Sequence, residues 1–113
     1  VLIAKRKENQ MLGGLWEFPG GKQKDNETIE ETILREIKEE TNLEVTLERY
    51  LCKVNHAYSH FKITMHAYIC QFKSGRTQKK ASDEIKWTAL HQLEKHPFPK
   101  ANKVVLDALL KSS

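Results

Sequence analysis

The chain has 113 residues, 39% hydrophobic and 30% charged, with 5 glycines and 3 prolines; those values exclude collagen-like, low-complexity and disordered classes and leave room for one domain. Nineteen basic against fifteen acidic residues give a formal charge of +4, which suits an anionic partner without choosing among nucleotides, DNA and plain solubility. The apolar opening Val1–Ala4 is cut off by Lys5, Arg6 and Lys7, so it is neither a membrane span of ~18 residues nor a signal-peptide core. The expectation is a cytoplasmic, monomeric chain with no membrane contact. Cys52 and Cys70 have no CxxC spacing and read as reduced thiols on strands.

In chain order, Val1–Ala4 is a strand that begins without a methionine, as in a domain trimmed at its start. Residues 8–14 form a turn-rich loop. Leu15–Phe18 is a short strand that stops at Pro19-Gly20-Gly21. Thr28-x-x-Glu31 has the form of a capping box and starts a helix whose apolar stripe is Ile29, Ile33 and Ile37. Asn42 closes it, because asparagine tolerates the left-handed conformation. Strands follow over 44–54 and 61–72, with His56–His60 as the loop between them. Residues 73–80, basic around Gly75, predict a solvated hairpin tip. Glu84–Leu90 is a further strand, and Pro99–Lys111 a terminal helix docked on the core. Strands alternating with helices in one short chain predict an α/β or α+β sandwich.

The chemistry lies on the first helix. At about 100° per residue, Glu36 and Glu40 fall at the edge of the isoleucine stripe, with Glu39 about 60° to the other side of Glu36. Clustered carboxylates at a buried edge repel one another and lose hydration, so they call for a compensating cation. Hard oxygen donors of this kind suit Mg²⁺ or Mn²⁺. The competing reading is an ordinary helix pair between Arg35 and Glu39, four residues on.

Gly21-x5-Glu27-x7-Arg35-Glu36-Ile37-x-Glu39-Glu40-x-Asn42-Leu43 resembles the Nudix box over 21–43, with Asn42 where the family has glycine. The resemblance implies a single domain over 1–113 with an α/β/α sandwich, a mixed sheet and the box as a loop–helix–loop. It implies hydrolysis of nucleoside diphosphate derivatives with divalent metal. By carry-over, Glu36, Glu39, Glu40 and the Gly20 carbonyl hold the metal, and Glu27 and Arg35 form the salt bridge that fixes the loop. Glu36 and an acid from Asp83/Glu84 are the two candidates for taking the proton of the attacking water.

Outside the box, Leu15–Gly21 and Phe98-Pro-Lys-Ala-Asn102 resemble the MutT-like branch. That branch implies cleavage of 8-oxo-dGTP, or another purine nucleoside triphosphate, to monophosphate and pyrophosphate. Asn102 would then read the base, Arg6 would meet a phosphate, and Gly21 and Phe98 would lie beside substrate. The competing reading of Asn102 is an N-cap of the last helix. Tyr58-Ser59-His60 resembles instead the 8-oxoguanine-reading loop in the C-terminal domain of MutY-type adenine glycosylases, which implies DNA as the partner. The Ile63–Ala67 stretch is similar to Nudix enzymes acting on CTP.

Overall fold

A computed structural model describes residues 1–10, 12–21, 23–79 and 82–112; Met11 of the first loop, Lys22 of the box and Lys80 of the basic segment lie outside the described residues. Among the described residues, five strands form two sheets. β1 (Leu2–Lys5) is flanked by β2 (Trp16–Glu17) and β5 (Glu84–Trp87), while β3 (Glu44–Ala57) and β4 (Lys62–Ser74) make a separate long hairpin. All of these pairings are antiparallel, so the parallel pair of the expected mixed sheet is not among them. β4 has β3 along one edge only, and residues of its other edge line a central cavity.

Several boundaries differ from the sequence expectation for local reasons. β2 stops at Glu17 because the Phe18 N–H bonds the Asn102 side chain and Pro19 has no N–H to offer a ladder. β3 and β4 run longer, pairing through His56↔Ile63 and Ala57↔Lys62, which leaves only 58–61 for the turn. β5 ends at Trp87, before a 3₁₀ turn over Leu90–Lys95. The segment after Ser74 is no hairpin tip, since β5 pairs with β1 and not with β4. It crosses between the sheets, pinned to the end of helix α1 (Ile29–Thr41). Gln78 N–H donates to the Thr41 carbonyl at 3.0 Å, and Asn42 Nδ2 donates to the Arg76 carbonyl at 3.1 Å. Gly75, at φ 109°, has a position where a Cβ would sit 2.7 Å from the Asn42 oxygen, so the crossing requires glycine there.

Both ends of α1 follow the sequence. Thr28 and Glu31 exchange the reciprocal bonds of a capping box, and Asn42 takes φ 66° at the C-cap. The isoleucine stripe differs. Ile29, Ile33 and Ile37 are half-buried and line the cavity, whereas the buried residues of the helix are Thr32 and Thr41. Each threonine hydroxyl bonds a carbonyl one turn back, from Thr32 to Thr28 at 3.0 Å and from Thr41 to Ile37 at 2.6 Å, which satisfies the polar group that burial would otherwise penalise. Helix α2 (Lys100–Ser112) packs against both sheets. Leu106 packs with Ile3, Trp16, Leu93 and Phe98, and Ala101 and Val105 pack with Val54 of β3. No helix among the described residues is long and apolar enough to cross a membrane.

Candidate active site

The box wraps around one guanidinium. Arg35 Nε and Nη2 grip the two Glu27 oxygens at 2.6 and 2.9 Å, the bidentate geometry that makes arginine–carboxylate pairs strong and directional. Glu27 also accepts the Lys24 N–H at 2.8 Å and the Thr32 hydroxyl at 3.0 Å. These donors, Arg35 first, hold its carboxyl down at about 2. Its stabilising contribution is therefore present above the ordinary carboxylate range and lost as pH falls toward 2. The pair thus ties the loop before the helix to the helix's second turn.

Arg35 Nη1 continues to Glu36 at 2.6 Å and to Glu39 at 3.1 Å. Both readings of Glu39 meet here: the ordinary i,i+4 pair exists, and it draws Glu39 to the exposed side. Glu39 is 54% exposed and Glu36 15%. Glu40 lies inward, accepting the Gly20 N–H at 3.1 Å. Burial, foremost, together with the charges of Glu17 and Glu36 and a hydrogen bond with Glu36, pushes the Glu40 carboxyl up to about 7. Two acids in contact at a half-buried edge, one of them holding a proton near neutrality, form the kind of donor set that a divalent cation relieves. Among the described residues no three carboxylates, imidazoles or thiols already converge on one point; Arg35 holds oxygens of Glu36 and Glu39.

Gly21 faces this edge. A Cβ on Gly21 would fall on the Glu36 carboxylate, while one on Gly20 would meet nothing within 4 Å. Gly21→Ala is expected to fold normally but to push Glu36 out of place. Activity should drop about 10–100-fold, the range for displacing one carboxylate's support at such an acidic edge, with the melting temperature changed little. Gly20→Ala is the control and should retain most of the activity, as steady-state rates on the two variants will show.

Glu17 is the residue that motif reading missed. β2 alternates, so Trp16 enters the core while Glu17 faces the opposite way, toward Glu40, whose proton affinity it raises. Arg6 Nη1 holds both Glu17 oxygens, at 2.8 and 3.1 Å. Burial raises the Glu17 carboxyl, and the Arg6 charge opposes the rise. The available signal was one acidic residue between two aromatic ones, Trp16 and Phe18, in the short strand expected over Leu15–Phe18. Arg6, expected at a phosphate, is thus engaged by Glu17 at the rim of the cavity.

Glu84 is not brought to the glutamates of α1. Register places Glu84 beside Lys5, and Lys5 beside Trp16; Ile85, Ala4 and Glu17 make the neighbouring row. Residues in one row share a face, so Glu84 projects from the face opposite Glu17, where it is exposed.

The remaining expected residues surround a cavity of about 1000 Å³ between the hairpin, α1 and β1, lined by Arg6, Glu17, Phe18, Gly21, Tyr58 and Asn102, among others. Phe98, expected beside substrate, is buried in the core instead, at 4% exposure. It stacks on Phe18 with ring centres 5.3 Å apart, and Phe18 is the ring that faces the cavity. Asn102 is no N-cap. It lies inside α2, buried, with Oδ1 accepting the Phe18 N–H at 3.2 Å. In the hairpin turn, Ser59 and His60 are exposed, but Tyr58 folds inward, its hydroxyl accepting the Ala101 N–H at 3.1 Å.

The chain is similar to known proteins in sequence and fold. An 8-oxo-dGTP diphosphatase of Proteus vulgaris is 42% identical over 75% of this chain and 77% of its own length. The crystal structure of a MutT NUDIX hydrolase from Burkholderia pseudomallei superposes with a TM-score of 0.81 at 28% identity, over 96% of this chain and 86% of that one. The human adenine DNA glycosylase is 33% identical over 60% of this chain, which is 13% of the glycosylase. The model of the NUDIX domain matches residues 1–108, and the chain belongs to that family.

Proposed function

We propose that this domain is a Mg²⁺-dependent pyrophosphohydrolase of the MutT type, with an oxidised purine nucleoside triphosphate such as 8-oxo-dGTP as substrate. It would release monophosphate and pyrophosphate and so serve nucleotide-pool sanitation in the cytoplasm. The observation that carries the reading is one cavity whose lining brings together the Arg6–Glu17 pair, the buried Asn102 amide and the backbone of Gly20 and Gly21, with Glu40 joined to that lining through the Gly20 N–H and Glu36 standing against Gly21. Glu36, Glu40 and the Gly20 backbone would hold the cation, with Glu39 joining once released by Arg35; Mn²⁺ would fit the same oxygen donors. When bound, the ion offsets the charge of the phosphates and of the glutamates that face them.

The chain's own groups supply the rest. Arg6, steered by Glu17, would meet a phosphate oxygen. Asn102, its oxygen already engaged by Phe18, would turn its Nδ2 donor to an acceptor on the base edge, and the Phe18 ring would form an apolar wall. Water attacks phosphorus, the bond to the leaving pyrophosphate breaks, and the water's proton passes to Glu36, with Asp83 as the other candidate since Glu84 lies on the opposite face.

The DNA-reading alternative would use the Tyr58-Ser59-His60 turn, of which Ser59 and His60 are exposed while the Tyr58 hydroxyl meets the Ala101 N–H. A panel of 8-oxo-dGTP, dGTP, dCTP and CTP with Mg²⁺, reading pyrophosphate against orthophosphate, tests the proposal. Pyrophosphate from 8-oxo-dGTP is expected. Silence across the panel, with binding to duplexes containing 8-oxoguanine, would favour the glycosylase-type module.

A further inference from the structure

Asn102 can read a base only if its side chain is held in place, and two contacts reach this part of the chain from far away in sequence. Its oxygen is fixed by the Phe18 N–H, as described. Its backbone lies in the first turn of α2, where the N–H groups have no partners within the helix. An N-cap side chain usually meets one of them. Here the residue before the helix is Pro99, which has no side-chain acceptor. The N–H of Ala101, at the position such a side chain would serve, is met by the Tyr58 hydroxyl. That contact spans 43 positions of sequence.

Tyr58 is itself tightly placed. Its ring stacks on Phe61 with centres 4.9 Å apart and takes the His56 ring edge-on at 4.5 Å. Its backbone N–H donates to the Phe61 carbonyl at 2.7 Å across the turn. The hairpin turn therefore carries a fixed phenol oxygen to the residue next to Asn102, and Tyr58 and Asn102 line the same cavity. We propose that Tyr58 is a positioning residue for base recognition: by capping α2 from the β3–β4 turn, its hydroxyl sets where the Asn102 carboxamide stands. The inference rests on the reading that Asn102 contacts the base.

Tyr58→Phe removes only the hydroxyl and keeps the ring stack, so the variant should fold. KM and kcat for 8-oxo-dGTP with Mg²⁺ are measured on wild type, Tyr58→Phe, Asn102→Ala and the double variant. Tyr58→Phe is expected to raise KM about three- to tenfold, the range for one hydrogen bond, with kcat within about twofold. In the Asn102→Ala background the same change should add nothing, because a residue acting through Asn102 has nothing left to position. An unchanged KM, or multiplicative effects in the double variant, overturns the proposal.

NMR of the nucleotide-free protein gives an independent reading. Tyr58→Phe should speed hydrogen exchange at the Ala101 amide and shift the Asn102 carboxamide signals. Faster exchange with unmoved Asn102 signals leaves Tyr58 a helix cap and nothing more. If the wild-type chain cleaves no 8-oxo-dGTP, the substrate reading fails by itself, and the carboxamide signals still decide whether Tyr58 positions Asn102.

Discussion

Glu40→Gln is expected to keep the fold and abolish most turnover, by more than the ~10–100-fold that loss of an outer partner of a metal ligand costs. Glutamine preserves the shape and can still accept the Gly20 N–H, but it has no charge with which to hold a cation. The substitution has a second signature with chelator present. Burial, helped by Glu17 and Glu36, holds the wild-type carboxyl at about 7 against an ordinary 4.5. The folded chain thus keeps a proton that the unfolded chain gives up between those values. The contribution of the neutral form is complete below 4.5 and is lost as pH rises toward 7. The amide is neutral throughout, so the variant's melting temperature should exceed that of wild type by a margin that grows from about pH 5 to about pH 8. Mg²⁺ should then raise the melting temperature of wild type and leave the variant where it was. Near-normal Mg²⁺-dependent activity in Glu40→Gln would sink the metal assignment.

Asn102→Ala should raise KM for 8-oxo-dGTP about ten- to a hundredfold, the worth of ~1–3 kcal/mol of lost hydrogen bonding, and raise KM for dGTP much less. Its bond to Phe18 adds a complication that the competing cap reading did not anticipate. Removing Oδ1 leaves the half-buried Phe18 N–H without its acceptor, so stability should fall by ~1–3 kcal/mol as well. Asn102→Asp separates the two effects. Aspartate keeps an oxygen for Phe18 but replaces the Nδ2 donor with an acceptor. Discrimination between the two nucleotides should collapse with the Phe18 acceptor kept, the buried carboxylate adding a stability cost of its own that falls as pH is lowered. If Asn102→Asp retains the wild-type KM ratio, Asn102 serves the fold and not the base.

What sequence could reveal divides along the range of the interactions. The capping box at Thr28 and Glu31, the left-handed Asn42 and the placing of Glu36 and Glu40 at one helix edge depend on residues within a turn or two of each other, so spacing was enough. The family motif carried the Glu27–Arg35 pair, which spans eight positions. Strand partners were not legible: without the register that sets Glu84 beside Lys5, the face on which Glu84 stands cannot be known. Phe98 looked like part of the site because it is near Asn102 in sequence, yet its ring enters the core and Phe18, far upstream, takes the exposed place. The contacts that fix Asn102 come from Phe18 and Tyr58, and no local pattern encodes either. Glu17 lies in the Leu15–Gly21 stretch that resembles the MutT-like branch, but its approach to Glu40 spans 23 positions and depends on how β2 sits against α1, which no local pattern encodes.

The central claim is that this site uses a divalent cation to cleave an oxidised purine nucleotide in preference to the normal one. The direct measurement is kcat/KM for 8-oxo-dGTP and for dGTP on the wild-type chain, with Mg²⁺ and with chelator. Pyrophosphate release that chelator abolishes is expected, with a kcat/KM for 8-oxo-dGTP at least about tenfold above that for dGTP, one hydrogen bond's worth of discrimination. Equal values for the two nucleotides, or hydrolysis that persists in chelator, would contradict the claim.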